Sequence, residues 1–327
     1  MAHPSLLSAG VGVAALGVGI SYSFLRRQHF ARSWRKQLEE LDPKKPNDTD
    51  LIIKHVVGYD YPLEMFLALN FCFYRTFCSP TIAGVYRNTG AIANTADKRA
   101  CDTDLLMHIW MDYGLDSELG KSSYLHLNKI HGLHATKTRN VDFVFVLCCL
   151  VVDAIQFTND YGWKKLHSKE KQAIWEFYHR VGERMELKDI PNSLEECIAF
   201  VDKYTEDNRS ARVSKDGVAL TKVITDLVCE WYYLAPPFLC RIAASVLLYQ
   251  MGPTFHSKLG LEKPSIFSFA LINSALWVRK QILRLTPPRT IPYKLSDVIM
   301  STKYSCPVSK QSIVQVGPVE MLEKINA

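Results

Sequence analysis

From residue 61 onward, apolar positions recur at intervals of three and four residues. This spacing lines one face of an α-helix. It predicts helices over residues 62–78, 97–113, 117–135, 141–161, 168–185 and 194–208. Start signals support several of them. Ser168 precedes a helical run with Glu170 in its first turn, and Pro191-Asn192-Ser193 is followed by Glu195 and Glu196. Strand-like alternation is scarce, no tight Asn-Gly or Asp-Gly turn joins two apolar runs, and no internal repeat occurs. The pattern therefore predicts an all-α fold, a single multi-helix domain over residues 61–290. Residues 141–157 are apolar almost all round, as a central buried helix requires, and Asp153 argues against a membrane span there. Residues 234–251 and 265–285 are also apolar and aromatic. They read as core helices, or as helices lying on a membrane beside a hydrophobic entrance.

The N-terminus follows a different rule. Residues 6–25 carry no charge, and at about 1.5 Å per residue they reach roughly 30 Å, the thickness of a bilayer's hydrocarbon core. Gly10, Gly12, Gly17 and Gly19 suit a membrane helix better than a soluble one. Arg26, Arg27, Arg32, Arg35 and Lys36 follow at once, which places the body on the cytosolic side. A cleaved signal peptide would need a basic start, and residues 1–5 lack one. One N-terminal transmembrane helix is thus expected over 6–25, with a basic flank and linker over 26–60. The polar, proline-bearing stretch 41–50 forms the linker, and 291–327 is a peripheral tail. The sequons at Asn47 and Asn208 should remain unglycosylated.

Composition narrows the function. The chain has 327 residues, 48% apolar and 22% charged, enough for a large core. The net charge of +6 comes largely from the basic run after residue 25, so nucleic acid is not an expected partner. Nine cysteines, an odd number without a Cys-x-x-Cys, argue against a disulfide framework and a thiolate zinc site. A glycine-rich dinucleotide motif, a P-loop, Gly-x-Ser-x-Gly and His-Glu-x-x-His are all absent. One Glu-x-x-His, Glu176 to His179, falls short of the two that a di-iron carboxylate bundle needs and reads as a solvated helix face.

Two clusters can carry chemistry. Tyr124, Leu127, His131 and His134 share one side of a helix with other apolar residues. His131 should therefore point inward, where a neutral imidazole can ligate haem iron or serve as a hydrogen-bonded core residue, with His134 one turn on. Arg99, Asp102 and Thr103 can also share a helix face. An Arg–Asp pair there can hold an acidic group, orient a bound molecule or lock two helices.

These residues fall in an ordered series. Phe73-Tyr74-Arg75-Thr76-Phe77 is followed by Arg99-x-x-Asp102-Thr103, then Leu127-Asn128-x-Ile130-His131 and Asn140-x-Asp142-Phe143. Tyr161-Gly162-Trp163, Gly182-Glu183-Arg184-Met185 and Asp189-Ile190-Pro191 continue it. Over about residues 60–210 the series resembles the catalytic domain shared by the fungal ER-bound oxygenase of mycophenolic acid biosynthesis and the bacterial rubber oxygenases. The resemblance implies an all-α fold around haem b and oxidative cleavage of an isoprenoid carbon–carbon double bond. It assigns His131 as the axial ligand to haem iron, with Arg99 and Thr103 on the opposite side. Between those two, Asp102 stands where the family's motif has lysine. Lys98 reads as a poor substitute, directed about 100° or more away on the helix. Asp102 is then expected to be neutralised by Arg99, with Arg75 and Asn128 as supports behind the cofactor.

The expectation is a haem-dependent oxygenase at the ER membrane (alternatively the outer mitochondrial membrane), acting on an unsaturated isoprenoid or lipid substrate. One rival is non-haem iron held by His131, His134 and a carboxylate. The other is a non-catalytic helical protein that binds a lipid or a protein partner.

Overall fold

A computed structural model describes residues 4–90, 92–134, 136–208, 213–231, 236–293, 313–318 and 322, with side chains from residue 18 onward except at 231. Every regular element among them is helical. The chain opens with α1, Pro4–Glu40, and α2, Pro46–His55, which runs into a π-helical turn, Val56–Asp60. Next come α3, Pro62–Thr76, α4, Pro80–Thr89, and α5, Ala96–His108, the last extended by a second π-helical turn, Ile109–Tyr113. The middle of the chain forms α6, Glu118–Gly132, α7, Asn140–Tyr161, α8, Ser168–Arg184, and α9, Leu194–Asp207. It closes with α10, Lys215–Trp231, α11, Pro237–Gln250, α12, Pro253–Lys258, and α13, Ile266–Leu285.

The α7 helix is the axis of the core, as its apolar circumference predicts. Val144, Leu147, Cys148, Cys149 and Val151 are buried, and α3, α8 and α9 pack around it. It is the one helix among the described residues long and apolar enough to cross a membrane, but most of it lies inside the protein. Asp153, the charge that interrupts its apolar run, is paired in the interior with Arg75 of α3 at 2.7 Å.

Four helices escaped the periodicity: α2, α4, α10 and α12. Three of them begin on proline, at Pro46, Pro80 and Pro253. A proline fits the first turn because its missing N–H has no intrahelical partner there. The stretch 41–50, expected as a linker, is folded instead. Thr49 is buried, its Oγ1 donating to the Pro43 carbonyl at 2.6 Å, and Ile52 and Ile53 of α2 join the core against α8. At α8 the cap falls on His167 rather than Ser168. The His167 Nδ1 accepts from the Lys169 N–H, and the Glu170 carboxylate accepts from the His167 N–H. Buried Glu170 also accepts from Trp34 Nε1 at 2.9 Å, tying α8 to α1.

Residues 6–25 fall within α1 and are helical. The side chains before residue 18, on which most of the expected transmembrane segment falls, lie outside the described residues; Val18 to Leu25 are largely exposed. Among the described residues, cysteines 72, 78, 101, 148, 149, 197, 229 and 240 form no disulfide. The α13 helix departs from the core reading of its sequence, because none of its residues is buried.

Candidate functional site: an apolar cavity around His131

A cavity of about 220 Å³ opens between α3, α4, α5, α6 and α7. Its walls are mainly apolar, among them Leu69, Phe73, Leu106, Met107, Ile130 and Leu150. Four of the predicted site residues on α5 and α6 meet here: Arg99, Asp102, Thr103 and His131. His134 joins them just beyond the end of α6. Arg75 and Asn128 do not line the cavity. Arg75 is held by Asp153 and stacks over the Phe255 ring at 4.7 Å, while Asn128 donates to the Arg184 carbonyl at 2.8 Å.

His131 lies on the cavity wall. Its ring lies 4.8 Å from the Phe143 ring, and the surface it retains faces the cavity. Among the described residues neither ring nitrogen has a hydrogen-bond partner. Burial, helped by the positive charges of Arg99 and of His134 when protonated, lowers its pKa to about 4. The imidazole is therefore neutral at pH 7, with a lone pair available to an electrophilic centre. His134 is also buried, and burial together with Lys137 lowers its pKa.

Arg99 faces the same space. It lies over the rings of Phe73 and Tyr86 at 5.2 and 5.4 Å, donates to the Tyr86 hydroxyl at 3.0 Å, and contacts the Thr103 hydroxyl. Asp102 is not its partner. The carboxylate is held by Lys98 at 2.9 Å and by the Gly317 N–H at 3.0 Å. Four residues along a helix turn about 400°, so Lys98 and Asp102 stand only some 40° apart, and the expected divergence of Lys98 is corrected. The same ammonium donates to the carbonyls of Gln315 and Gly317 at 2.8 and 2.9 Å.

The C-terminal segment at residues 313–318 thus forms part of the wall rather than a peripheral tail. Val316, Gly317 and Pro318 line the cavity, and the Val316 carbonyl lies 2.8 Å from His126 Nε2. Sequence reasoning missed Tyr86, Lys98 and this segment. The spacing of four between Lys98 and Asp102 was the available clue for one of them. Residues 294–312, which lead into the segment, lie outside the described residues, as does the rest of the expected tail after residue 318 apart from Leu322.

Among the described residues no three His, Cys, Asp or Glu side chains cluster as a metal site. Asp102, the acid that lines the cavity with the two histidines, is already engaged by Lys98. A neutral His131 imidazole in an apolar space suits a macrocyclic metal, which brings its own equatorial ligands and asks the protein for an axial one. A larger hollow of about 530 Å³ between α1 and α2 contains none of the predicted site residues.

Among the described residues, the fold and cavity define an all-helical protein with two histidines, His131 and His134, lining an apolar chamber. Residues 130–278 match the family described as ER-bound oxygenase mpaB/B'/rubber oxygenase, catalytic domain. The chain is 24% identical over 314 residues to the ER-bound oxygenase mpaB' of Penicillium brevicompactum, covering 90% of this chain and 72% of that protein. It is 25% identical over 257 residues to ER-bound oxygenase mpaB of the same organism, covering 76% and 60%. These matches bear out the resemblance to that oxygenase family. The matched family region includes His131 and His134 and begins after Arg99, Asp102 and Thr103.

Proposed function

We propose that the cavity holds haem b with His131 as the protein ligand to iron, and that the protein is an oxygenase cleaving a double bond in an unsaturated isoprenoid or lipid chain. The observation that carries this reading is the neutral His131 imidazole, which faces an apolar cavity without a hydrogen-bond partner among the described residues. Bound haem supplies the iron centre at which dioxygen is used. The apolar walls receive a hydrocarbon chain and exclude water. Arg99, with the Tyr86 and Thr103 hydroxyls, offers donors to an electron-rich group inside the cavity. Asp102 acts at one remove, holding Lys98 and the 315–317 backbone at the cavity wall. The relatives' description as ER-bound and the charge-free residues 6–25 support a tether in the ER membrane with the body on the cytosolic side.

The test is an absorption spectrum with iron analysis of the full chain in detergent, prepared with ample haem supply, beside His131→Ala. The expected result is a Soret band and about one iron per chain, both lost in the variant. Iron without a Soret band would favour non-haem chemistry. A colourless, iron-free wild type would overturn the oxygenase reading in favour of a lipid- or partner-binding protein.

A further inference from the structure

We infer that the outward face of α13 is a lipid-contacting surface that beds the body of the protein on the bilayer beside α1. The helix is turned inside out by the standard of a soluble protein. A surface helix normally buries its apolar stripe and shows its charges to water. In α13 the three basic side chains and Asn273 reach inward, while exposed Ser274 lies at the border of the apolar side. Arg279 pairs with Glu64 at 2.7 Å, Lys280 donates to the Asp160 carbonyl at 3.1 Å, and Arg284 donates to the Trp163 carbonyl at 3.0 Å. Asn273 accepts from Gln250 at 2.8 Å on the same side. The opposite side presents Phe267, Leu271, Val278, Ile282 and Leu285, all exposed, with Phe267 83% and Ile282 54% accessible. At 100° per residue these five fall within about 60° of one another, so they form one continuous stripe. Exposed Ile266 and Trp277 widen it on one flank.

Three observations select a lipid surface as the occupant. First, α13 packs against α1, and Arg27 fixes its C-terminal end by donating to the Thr286 and Pro287 carbonyls at 2.7 and 2.9 Å. Arg27 lies two residues beyond the charge-free stretch of α1, whose described end is itself apolar and open, with Val18, Tyr22 and Leu25 exposed. The two apolar surfaces therefore meet at the junction where α1 becomes charged. Second, α13 contains no acidic residue, so no charge on the helix repels anionic headgroups. Third, Trp277 is 62% exposed at the stripe's edge, and tryptophan favours the boundary between hydrocarbon and headgroup. Because one face is polar and held by the body, the helix fits lying along the membrane rather than crossing it.

This inference is independent of haem. It shares with the functional reading only a membrane location, and its test separates the two. The full chain is reconstituted in phosphatidylcholine–phosphatidylserine vesicles that carry a phosphatidylcholine with a photoactivatable acyl chain, and the adducts are mapped by peptide mass spectrometry. The expected result is adducts on the peptide containing Phe267, Leu271 and Val278. They should fall about tenfold in the double variant Leu271→Glu, Ile282→Glu, while adducts on residues 6–25 persist. Circular dichroism of the variant confirms that its helical content is retained. Adducts confined to residues 6–25, or none at all, would overturn the inference, as would protein–protein crosslinks through α13 in their place. Adducts on α13 without any on residues 6–25 would support it and sink the N-terminal tether instead.

Discussion

Arg75 and Arg99 were both expected at the cofactor, and the structure gives them opposite surroundings. Arg75 lies on the far side of α3 from the cavity and is almost wholly buried. Two parallel bonds at 2.8 and 2.7 Å bind it to Asp153, its face lies over Phe255, and a longer contact reaches the Met251 carbonyl. Its charge and donors are met within the protein. Arg99 makes no ion pair among the described residues. It rests on two aromatic faces and touches two hydroxyls, and its charge is felt by His131 and by buried Asp104. A saturated charge builds framework, whereas a charge with spare bonding capacity beside a cavity is available to a ligand.

That contrast has a large expected consequence for stability. Arg75→Ala leaves Asp153 charged or protonated in the core without its partner and should cost about 3–5 kcal/mol, read as a lower urea midpoint. Arg99→Ala, which strands no directly paired acid, should cost nearer 1 kcal/mol. Equal losses from the two variants would erase the distinction.

The second prediction concerns pH. The His131 pKa falls from its ordinary 6.5 to about 4, so the unfolded chain binds more protons between those values. Stability from this group is complete above pH 6.5 and is lost as pH falls toward 4, by at most about 3 kcal/mol. Asp104 works the other way. Burial, opposed by Arg99, raises its pKa from 3.8 to about 7, so its cost to stability grows as pH rises through that window. The wild-type profile should therefore be shallow from pH 4 to 7. His131→Phe should expose a fall in stability with rising pH, and Asp104→Asn should expose a rise. Profiles parallel to wild type in both variants would show that neither group titrates as its surroundings require.

The smallest effect lies at the cavity wall. Asp102→Ala removes the acceptor for Lys98 and for the Gly317 N–H, but leaves both groups near water. It should loosen residues 313–318 by about 1–2 kcal/mol. Faster amide hydrogen exchange at Val316 and Gly317 with an unchanged urea midpoint would place the effect in that segment. Unchanged exchange would show that Asp102 does not hold it.

The legibility of the fold tracks the length of its periodic signals, except at α10, which escaped although it spans seventeen residues. The α7 helix announced itself because seventeen nearly uncharged positions admit no surface orientation. The long amphipathic runs of α3, α5, α6, α8 and α9 were also readable. The α2, α4 and α12 helices span only ten, ten and six residues, and so offer less than three turns of pattern. Their initial prolines were the better signal. Site residues on one helix could be grouped by spacing, which brought Arg99 to Thr103 and His131 toward His134. Tyr86 could not be grouped with Arg99 that way, because they lie on different helices and meet only through packing.

By itself, the sequence determined the helical class, the buried axis, the inward direction of His131 and the resemblance to the oxygenases, because periodicity and ordered motifs are local in the chain. Only the tertiary structure decided which charges are spent. It bound Arg75 to Asp153 across 78 residues, drew residues 315–317 onto Lys98 and Asp102, and left the apolar side of α13 outward. A helix period says which residues share a face; what lies opposite that face is fixed only when the chain packs.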